Sequence, residues 1–237
     1  MRIKLIIVRF IEEGYMTGTR NYAEEIAERN RRLLRRTKRW KQAERVIHPL
    51  IESFQSIKDS DLEKDIKFEL YRFIPIRSIA CLEGWFKLAV ASLIDESDSF
   101  RENASRIKEP RINIGDILAV QSKKLSGGEL IAHTLPVNRL NDIEDVLSLI
   151  IGSDFPEAFK NVRINPKTAP NPVTFKNEAI MIYYDVKKTF YLRHIFAHEL
   201  ATSMRVSTRQ YENCVFAVFM YLVGAERVVQ DLLGETT

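Results

Sequence analysis

Apolar residues recur at helical spacing along most of this sequence, and this period is the strongest constraint on the fold. The 237 residues include only nine Gly and eight Pro, which is few for a turn-rich β-sandwich. A hydrophobic content of 45% is enough to build a buried core, so a wholly disordered protein is excluded. The pattern therefore predicts an all-α protein.

The first long helix is predicted over residues 21–50. Its apolar residues recur every three, four or seven positions, and its arginines lie on the opposite side. Pro49 is expected to end this helix early, and the short polar stretch 56–60 predicts a joint. We therefore divide the chain into a basic N-terminal helical extension, residues 1–60, and a helical domain, residues 61–237.

Pro75 predicts the first turn of a second long helix, residues 76–94, because Pro is well placed at a helix start. The polar residues 97–113 predict a loop, and Gly127 and Gly128 predict a break. Three further helices are predicted, at residues 142–151, 156–162 and 188–204.

Ser207 is the predicted cap of the last helix, which runs to residue 233 with Gly234 as its stop. Its centre, residues 214–223, is apolar on every side, so we expect it to be buried all round or to lie at a subunit contact. Residues 165–172 contain three prolines and predict an ordered loop. Residues 177–185 fit either a helix or a strand.

The net charge of +4 is distributed unevenly along the chain. Residues 1–60 hold 14 Lys or Arg against 8 Asp or Glu, whereas residues 61–237 hold 22 against 24. Most of the excess lies in residues 29–45, with nine basic residues and the single acidic residue Glu44. A basic segment on a near-neutral body favours a polyanionic partner, nucleic acid before membrane.

Two interpretations of this basic segment remain open. Its cations can form a solvated helix face, or they can bind the phosphates of RNA, in which case affinity should fall steeply with salt. The second interpretation assigns RNA binding to five arginines: Arg31, Arg32, Arg35, Arg36 and Arg39.

No segment is predicted to cross a membrane or to direct secretion. The longest apolar stretch, residues 214–225, is about half of a spanning helix, and Arg9 interrupts the N-terminal apolar run too early for a signal peptide. Cys81 and Cys214 lie in apolar helical surroundings, which is typical of core residues rather than of disulfides. We therefore expect a cytoplasmic protein with no membrane partner.

Two histidines lie together in the segment LRHIFAHEL, residues 192–200. His194 and His198 are four residues apart and share a helix face, as a pair of metal ligands would. The zincin pattern needs a further His at position 202, where this chain has Thr, and no third ligand is evident. The sequence therefore predicts no metal site, and it indicates no cofactor.

Two metal-free interpretations of this segment remain. Its polar side chains can cap and pair within a structural patch, or Arg193 and the histidines can cleave RNA. Histidine titrates near neutral pH and can move a proton, while a guanidinium holds a phosphate and its developing charge.

Glu83 falls on the apolar stripe of the predicted helix 76–94, close to the direction of Ile79, Ala80 and Val90. A carboxylate on a buried face is costly unless a cation or a hydrogen-bond donor meets it. The sequence therefore predicts a partner for Glu83 from another helix.

The segment Arg193-His194-x-x-x-His198 resembles the R-x4-6-H motif of HEPN domains, in which a polar residue usually follows the Arg. The segment SIACLEGWF, residues 78–86, is similar to the context in which this family carries an acid on the inward face of an earlier helix, here Glu83. The resemblance covers residues 65–235 and leaves the N-terminal helix outside it.

The resemblance implies an all-α, HEPN-like up-and-down helical bundle with an N-terminal helical extension. It implies a homodimer in which two motifs face each other across a shared cleft. The implied activity is that of a metal-independent endoribonuclease acting on tRNA or mRNA, as in toxin–antitoxin and anti-phage systems, where an antitoxin or defence protein is a further partner. The 2′-hydroxyl would attack the adjacent phosphodiester and leave a 2′,3′-cyclic phosphate and a 5′-hydroxyl.

The roles implied for single residues follow the motif. His198 would transfer the proton, Arg193 would hold the phosphate, and His194 would orient the phosphate or assist the transfer. Glu83 would pair with Arg193 and fix its rotamer. Some HEPN toxins carry a Tyr two residues after the motif His that a partner enzyme modifies; here Leu200 stands at that position, so this regulation is not carried over.

Five residues separate Arg193 from His198, about 140° around an ideal helix. The two side chains converge only if Arg193 starts a helix and reaches round, or if a second copy supplies the complement. The rival interpretations are a non-catalytic HEPN module that binds RNA, a nucleotide or a partner protein, and an interaction subunit that docks through its apolar last helix.

Overall fold

The computed structural model describes residues 25–26, 39–108, 112, 116–118, 122, 125–165, 173–198 and 204–235. Its helices, in chain order, are α1 (Arg39–Asp59), α2 (Lys64–Glu96), α3 (Asp98–Ala104), α4 (Gly127–Thr134), α5 (Leu140–Ile151), α6 (Phe155–Asn161), α7 (Ala179–His198) and α8 (Thr208–Leu233). Over these ranges no strand forms, and one isolated antiparallel bridge joins Arg163 to Thr174. The prediction of an all-α protein is confirmed.

The 33-residue helix α2 is the centre of the bundle, and α1, α4, α7 and α8 pack around it. Its middle is buried on several sides, with Leu82, Trp85 and Phe86 at most 1% exposed. Apolar burial of this kind is the main stabilising contribution to a helical bundle. The core therefore forms around α2, and the other long helices take their positions from it.

Helix α2 begins at Lys64 and runs through Pro75, so the prediction that Pro75 starts a helix is wrong. A proline inside a helix removes a hydrogen bond and costs about 3 kcal/mol. Here the turns on both sides are anchored in the core, since Tyr71, Ile74 and Ile79 are at most 4% exposed. The burial of these residues offsets the cost of Pro75 inside the helix, which the local sequence cannot show.

Helix α1 likewise continues through Pro49 and includes most of the stretch 56–60 that predicted a joint, so both boundary predictions are wrong. It packs against α2 and α8 of the same chain, and Ile47 and Phe54 are at most 1% exposed. This part of the N-terminal extension therefore shares one core with the helices that follow it. Of the predicted helix over 21–50, residues 21–24 and 27–38 lie outside the described ranges.

Two predicted irregular segments contain helices. Within 97–113, Ser97 caps α3, whose last residue Ala104 is buried. The prediction of a loop is wrong here because this mostly polar helix contacts the core through one side only. The Gly127–Gly128 pair opens α4 instead of breaking the chain, behind a capping box of Ser126 and Glu129. A side chain at Gly128 would collide with the backbone oxygen of Ala91 at 2.5 Å, so glycine permits the close approach of α4 to α2.

The C-terminal helices follow the sequence more closely. The predicted helices 142–151 and 156–162 correspond to α5 and α6 within two residues. Of the ambiguous residues 177–185, those from 179 onward join the predicted helix 188–204, since α7 is one helix from Ala179 to His198. Met204 is not helical. The prediction for α8 is confirmed from the Ser207 cap to the Gly234 stop, whose φ is 66°.

The apolar centre of α8 is largely buried within this chain: Cys214, Val218 and Leu222 are at most 1% exposed, and Phe216 is 44% exposed. No helix in the described ranges is long and apolar enough to cross a membrane. Residues 166–172 of the predicted loop lie outside the described ranges.

A buried ion pair fastens α1 to α8. The Arg39 guanidinium lies 3.4 Å from Glu226, their side chains are 8% and 5% exposed, and Arg39 Nη2 also donates to Glu235 at 2.9 Å. The indole Nε1 of Trp85 donates to Glu226 Oε2 at 2.7 Å. One carboxylate thus satisfies donors from α1 and α2 together.

Glu226→Gln should lower the free energy of unfolding by about 2 kcal/mol, because it weakens the hydrogen bonds from Arg39 and Trp85, while Arg39 keeps Glu235 as a partner. Glu212→Gln is the matched control, because Glu212 lies on the same helix and pairs with Lys58 at the surface. We expect that change to cost less than about 1 kcal/mol. Urea unfolding measures both, and equal effects would contradict a buried role for Glu226.

The ionisation of Glu144 on α5 makes the free energy of unfolding depend on pH. Burial raises its pKa to about 7 against the opposing effect of Lys187, with Asp145 and Asp154 adding to the increase. Its Oε1 is buried and accepts no hydrogen bond from the described residues. A carboxyl pKa raised by folding means that the protonated form stabilises the fold, and this stabilisation is lost as pH rises through about 7.

We therefore expect the free energy of unfolding to fall by about 1–3 kcal/mol between pH 5 and pH 8. Glu144→Gln should flatten this decrease, whereas Asp145→Asn, which changes an exposed neighbour, should retain most of it. Urea titrations at several pH values measure the slopes. Parallel slopes for the wild type and Glu144→Gln would contradict the assignment.

Candidate functional site

Three residues of the proposed motif lie in the last two turns of α7, next to the middle of α2. Arg193 is half-buried, and His194 and His198 are exposed. The helix positions them because its other side is anchored in the core: Val186 and Leu192 are at most 1% exposed. The motif thus stands at the end of a helix that is buried along one side.

Arg193 points toward α2, where its Nη2 donates to Glu83 Oε1 at 3.2 Å. Both side chains are 26% exposed. The ion pair joins residues 110 positions apart, and the resemblance had placed these two residues together. Glu83 therefore has the cationic partner that its position on an apolar stripe requires.

The charge of Glu83 is balanced between opposing effects. Burial raises the pKa of its carboxyl, while the positive charges of Arg193 and then Lys87 lower it, and the net change is an increase. Removing either cation leaves the burial effect less opposed. The ionisation of Glu83 is consequently coupled to the placement of Arg193.

The two histidines lie on the outer side of α7. Their ring centroids are 5.4 Å apart with a tilt of 52°, as expected for residues one helical turn apart. In the described ranges, no group of three or more His, Cys, Asp or Glu side chains has the arrangement needed to hold a metal ion. The histidines are exposed and close enough to act on one substrate group.

Arg193 and His198 lie on different sides of α7. Arg193 lies near the carboxyl end of α7, which begins at Ala179, so the expected route in which Arg193 starts a helix is wrong. It shares the buried side of α7 with Val186 and Thr189, whereas His198 lies about 140° away. The other route given by the sequence, a contribution from a second copy, stays a prediction.

A groove of about 590 Å³ opens beside Arg193 and His194, between α7 and the start of α5. This volume is within the range of small-molecule sites. Buried Leu140 and Phe190 line it together with polar and aromatic side chains. The polar and aromatic side chains come from α7 and from around the start of α5: Lys187, Tyr191, Arg193 and His194 from α7, and Asn138, Arg139 and Asn141 from around the start of α5.

The sequence predictions did not include the groove. Lys187, Tyr191, His194 and His198 recur at intervals of four, three and four residues, so helical periodicity places them on one exposed face. That spacing was a usable signal for Lys187 and Tyr191. The start of α5 is more than 40 residues earlier in the chain, and no local pattern connects it to α7.

Arg39 differs from its predicted role in RNA binding. It is buried and paired with Glu226 and Glu235, so its guanidinium is committed to the fold. Arg31, Arg32, Arg35, Arg36 and Leu200 lie outside the described ranges.

Comparison of the chain with protein-family models, curated proteins and solved structures finds no match in any of the three.

Arg193→Ala should raise the pKa of Glu83 further, because it removes the larger of the two cationic effects that lower it. Titration of the Glu83 side-chain carboxyl by ¹³C NMR measures this directly. Lys87→Ala is the control and should give a smaller increase in the same direction. An unchanged or lower Glu83 pKa in Arg193→Ala would show that the ion pair does not set the charge of Glu83.

Proposed function

We propose that this protein is a HEPN-type, metal-independent endoribonuclease that acts in the cytoplasm as a homodimer. The observation that carries the proposal is the arrangement at the end of α7. Arg193 is held by Glu83 at 3.2 Å beside an open groove, and two exposed histidines follow on the same helix. A guanidinium and neutral-range acid–base groups are the requirements of RNA cleavage without metal.

In the proposed reaction, Arg193 holds the scissile phosphate and stabilises the charge that develops on it. His198 takes the proton of the 2′-hydroxyl as its oxygen attacks phosphorus. The bond from phosphorus to the 5′-oxygen breaks, and that oxygen is protonated as it leaves. The products are a 2′,3′-cyclic phosphate and a 5′-hydroxyl, and His194 orients the phosphate or assists the proton transfer.

The positions of Arg193 and His198 on different sides of α7 support the homodimer in this proposal. Since they lie about 140° apart on one helix, a complete site combines Arg193 of one copy with the partner copy's motif histidine across a shared cleft. The RNA substrates are tRNA or mRNA. The biological setting is a toxin–antitoxin or anti-phage system, in which an antitoxin or defence protein is a further partner.

A second candidate function is a non-catalytic module that binds RNA, a nucleotide or a partner protein. The observation that favours it is that Arg193 is already paired with Glu83 on the core side of α7. An arginine used in this way can be retained for folding alone. The interaction-subunit alternative is less favoured, because the centre of α8 is largely buried in its own chain.

Cleavage of tRNA and total RNA in excess EDTA tests the proposed function. The wild type should leave 2′,3′-cyclic phosphate ends, and His198→Ala should be inactive. His48→Ala, which removes an exposed histidine on α1, is the matched control and should retain activity. Activity that EDTA abolishes, or that His198→Ala retains, would contradict the proposal.

A mixed dimer tests the shared site. Arg193→Ala and His198→Ala, co-expressed with different tags and purified as the heterodimer, combine one intact site with one doubly altered site if each site uses both copies. The heterodimer should regain about half of the wild-type activity, although each homodimer is inactive. A site contained within one chain would give no recovery.

A further inference from the structure

We propose that the groove between α7 and the start of α5 binds one unpaired nucleobase of a single-stranded RNA, with Tyr191 as its stacking platform. This inference rests on the proposed function, because it places the base next to the phosphate held by Arg193. It adds to that function a base-binding groove and the residue on which the base stacks.

Tyr191 is the first observation behind the inference. It lines the groove and is 59% exposed, whereas its neighbour Phe190 is 5% exposed and belongs to the core. An exposed aromatic ring beside cationic groups is the usual platform on which proteins stack an unpaired base. Tyr191 lies three residues before His194, so it shares a helix face with the motif.

The polar lining is the second observation. Asn138 and Asn141 supply amide groups, which can donate to and accept from the edge of a base. Lys187 and the exposed Arg139, which pairs with Asp142 at 3.1 Å, supply positive charge for neighbouring phosphates, and no Asp or Glu is among the described residues that line the groove. The lining thus combines a stacking surface, base-edge groups and cations.

The size of the groove favours a single strand over a duplex. A volume of about 590 Å³ admits a base only after it has left its stack and its pairing partner. A duplex would present its phosphates to Lys187 and Arg139 but would leave Tyr191 without a base. Single-stranded RNA can occupy the whole lining.

The test is the affinity for a fluorescent 2′-O-methyl RNA strand of about 12 nucleotides, which lacks the attacking hydroxyl and cannot be cut. Fluorescence anisotropy gives Kd for this strand and for its duplex. The wild type should bind the single strand more tightly than the duplex. Tyr191→Leu should weaken single-strand binding by about 5- to 100-fold, and Tyr191→Phe should retain it.

Tyr184→Leu is the matched control, since Tyr184 lies on the same helix, is 61% exposed and does not line the groove. It should leave Kd unchanged. Equal Kd values for Tyr191→Leu and Tyr184→Leu, equal binding of strand and duplex, or no binding by the wild type would each overturn the inference.

The outcome is separable from that of the proposed function. Because the probe cannot be cut, a Tyr191-dependent Kd would support the groove even if the His198 assay showed no cleavage. Cleavage that requires His198, combined with an unchanged Kd in Tyr191→Leu, would retain the nuclease and reject the groove.

Discussion

The structure depends on the burial of the middle of α2. Leu82, Trp85 and Phe86 are packed by helices from several directions, so any polar group in this stretch must be met by a partner from another helix. Two such contacts between helices connect the parts of the molecule. Trp85 donates to Glu226 on α8, and Glu83 accepts from Arg193 on α7.

The contact between Trp85 and Glu226 connects the N-terminal part of the chain to the rest. Glu226 is 4% exposed, and it also pairs with Arg39 at the start of α1. A buried carboxylate with one partner removed is strongly destabilising, so Arg39, Trp85 and Glu226 act as a unit. The basic segment that suggested RNA binding therefore contains an arginine, Arg39, that stabilises the fold.

The ion pair between Glu83 and Arg193 positions the residue that is proposed to hold the phosphate. An arginine on the core side of α7 would be costly without Glu83, and Glu83 would be costly on α2 without Arg193. Their pairing places the guanidinium at the edge of the groove. His198 lies about 140° from Arg193 around the same helix, which is why the proposed site includes a second copy of the chain.

Local sequence was sufficient where a helix carries its own signals. The all-α class and the limits of α8, from Ser207 to Gly234, follow from apolar periodicity and caps, which act within a few residues. The predictions at Pro75 and Gly128 are wrong. The cost of these residues within a helix is offset by contacts with residues far away in the sequence.

For the site, the sequence by itself determined which side chains share the end of α7, because helical spacing places His194 and His198 together. The demand of Glu83 for a partner was also evident from its position on an apolar stripe. Only the tertiary structure decided that Arg39 is internal and that α5 completes a groove beside α7. These contacts join residues far apart in the chain, and packing rather than local propensity brings them together.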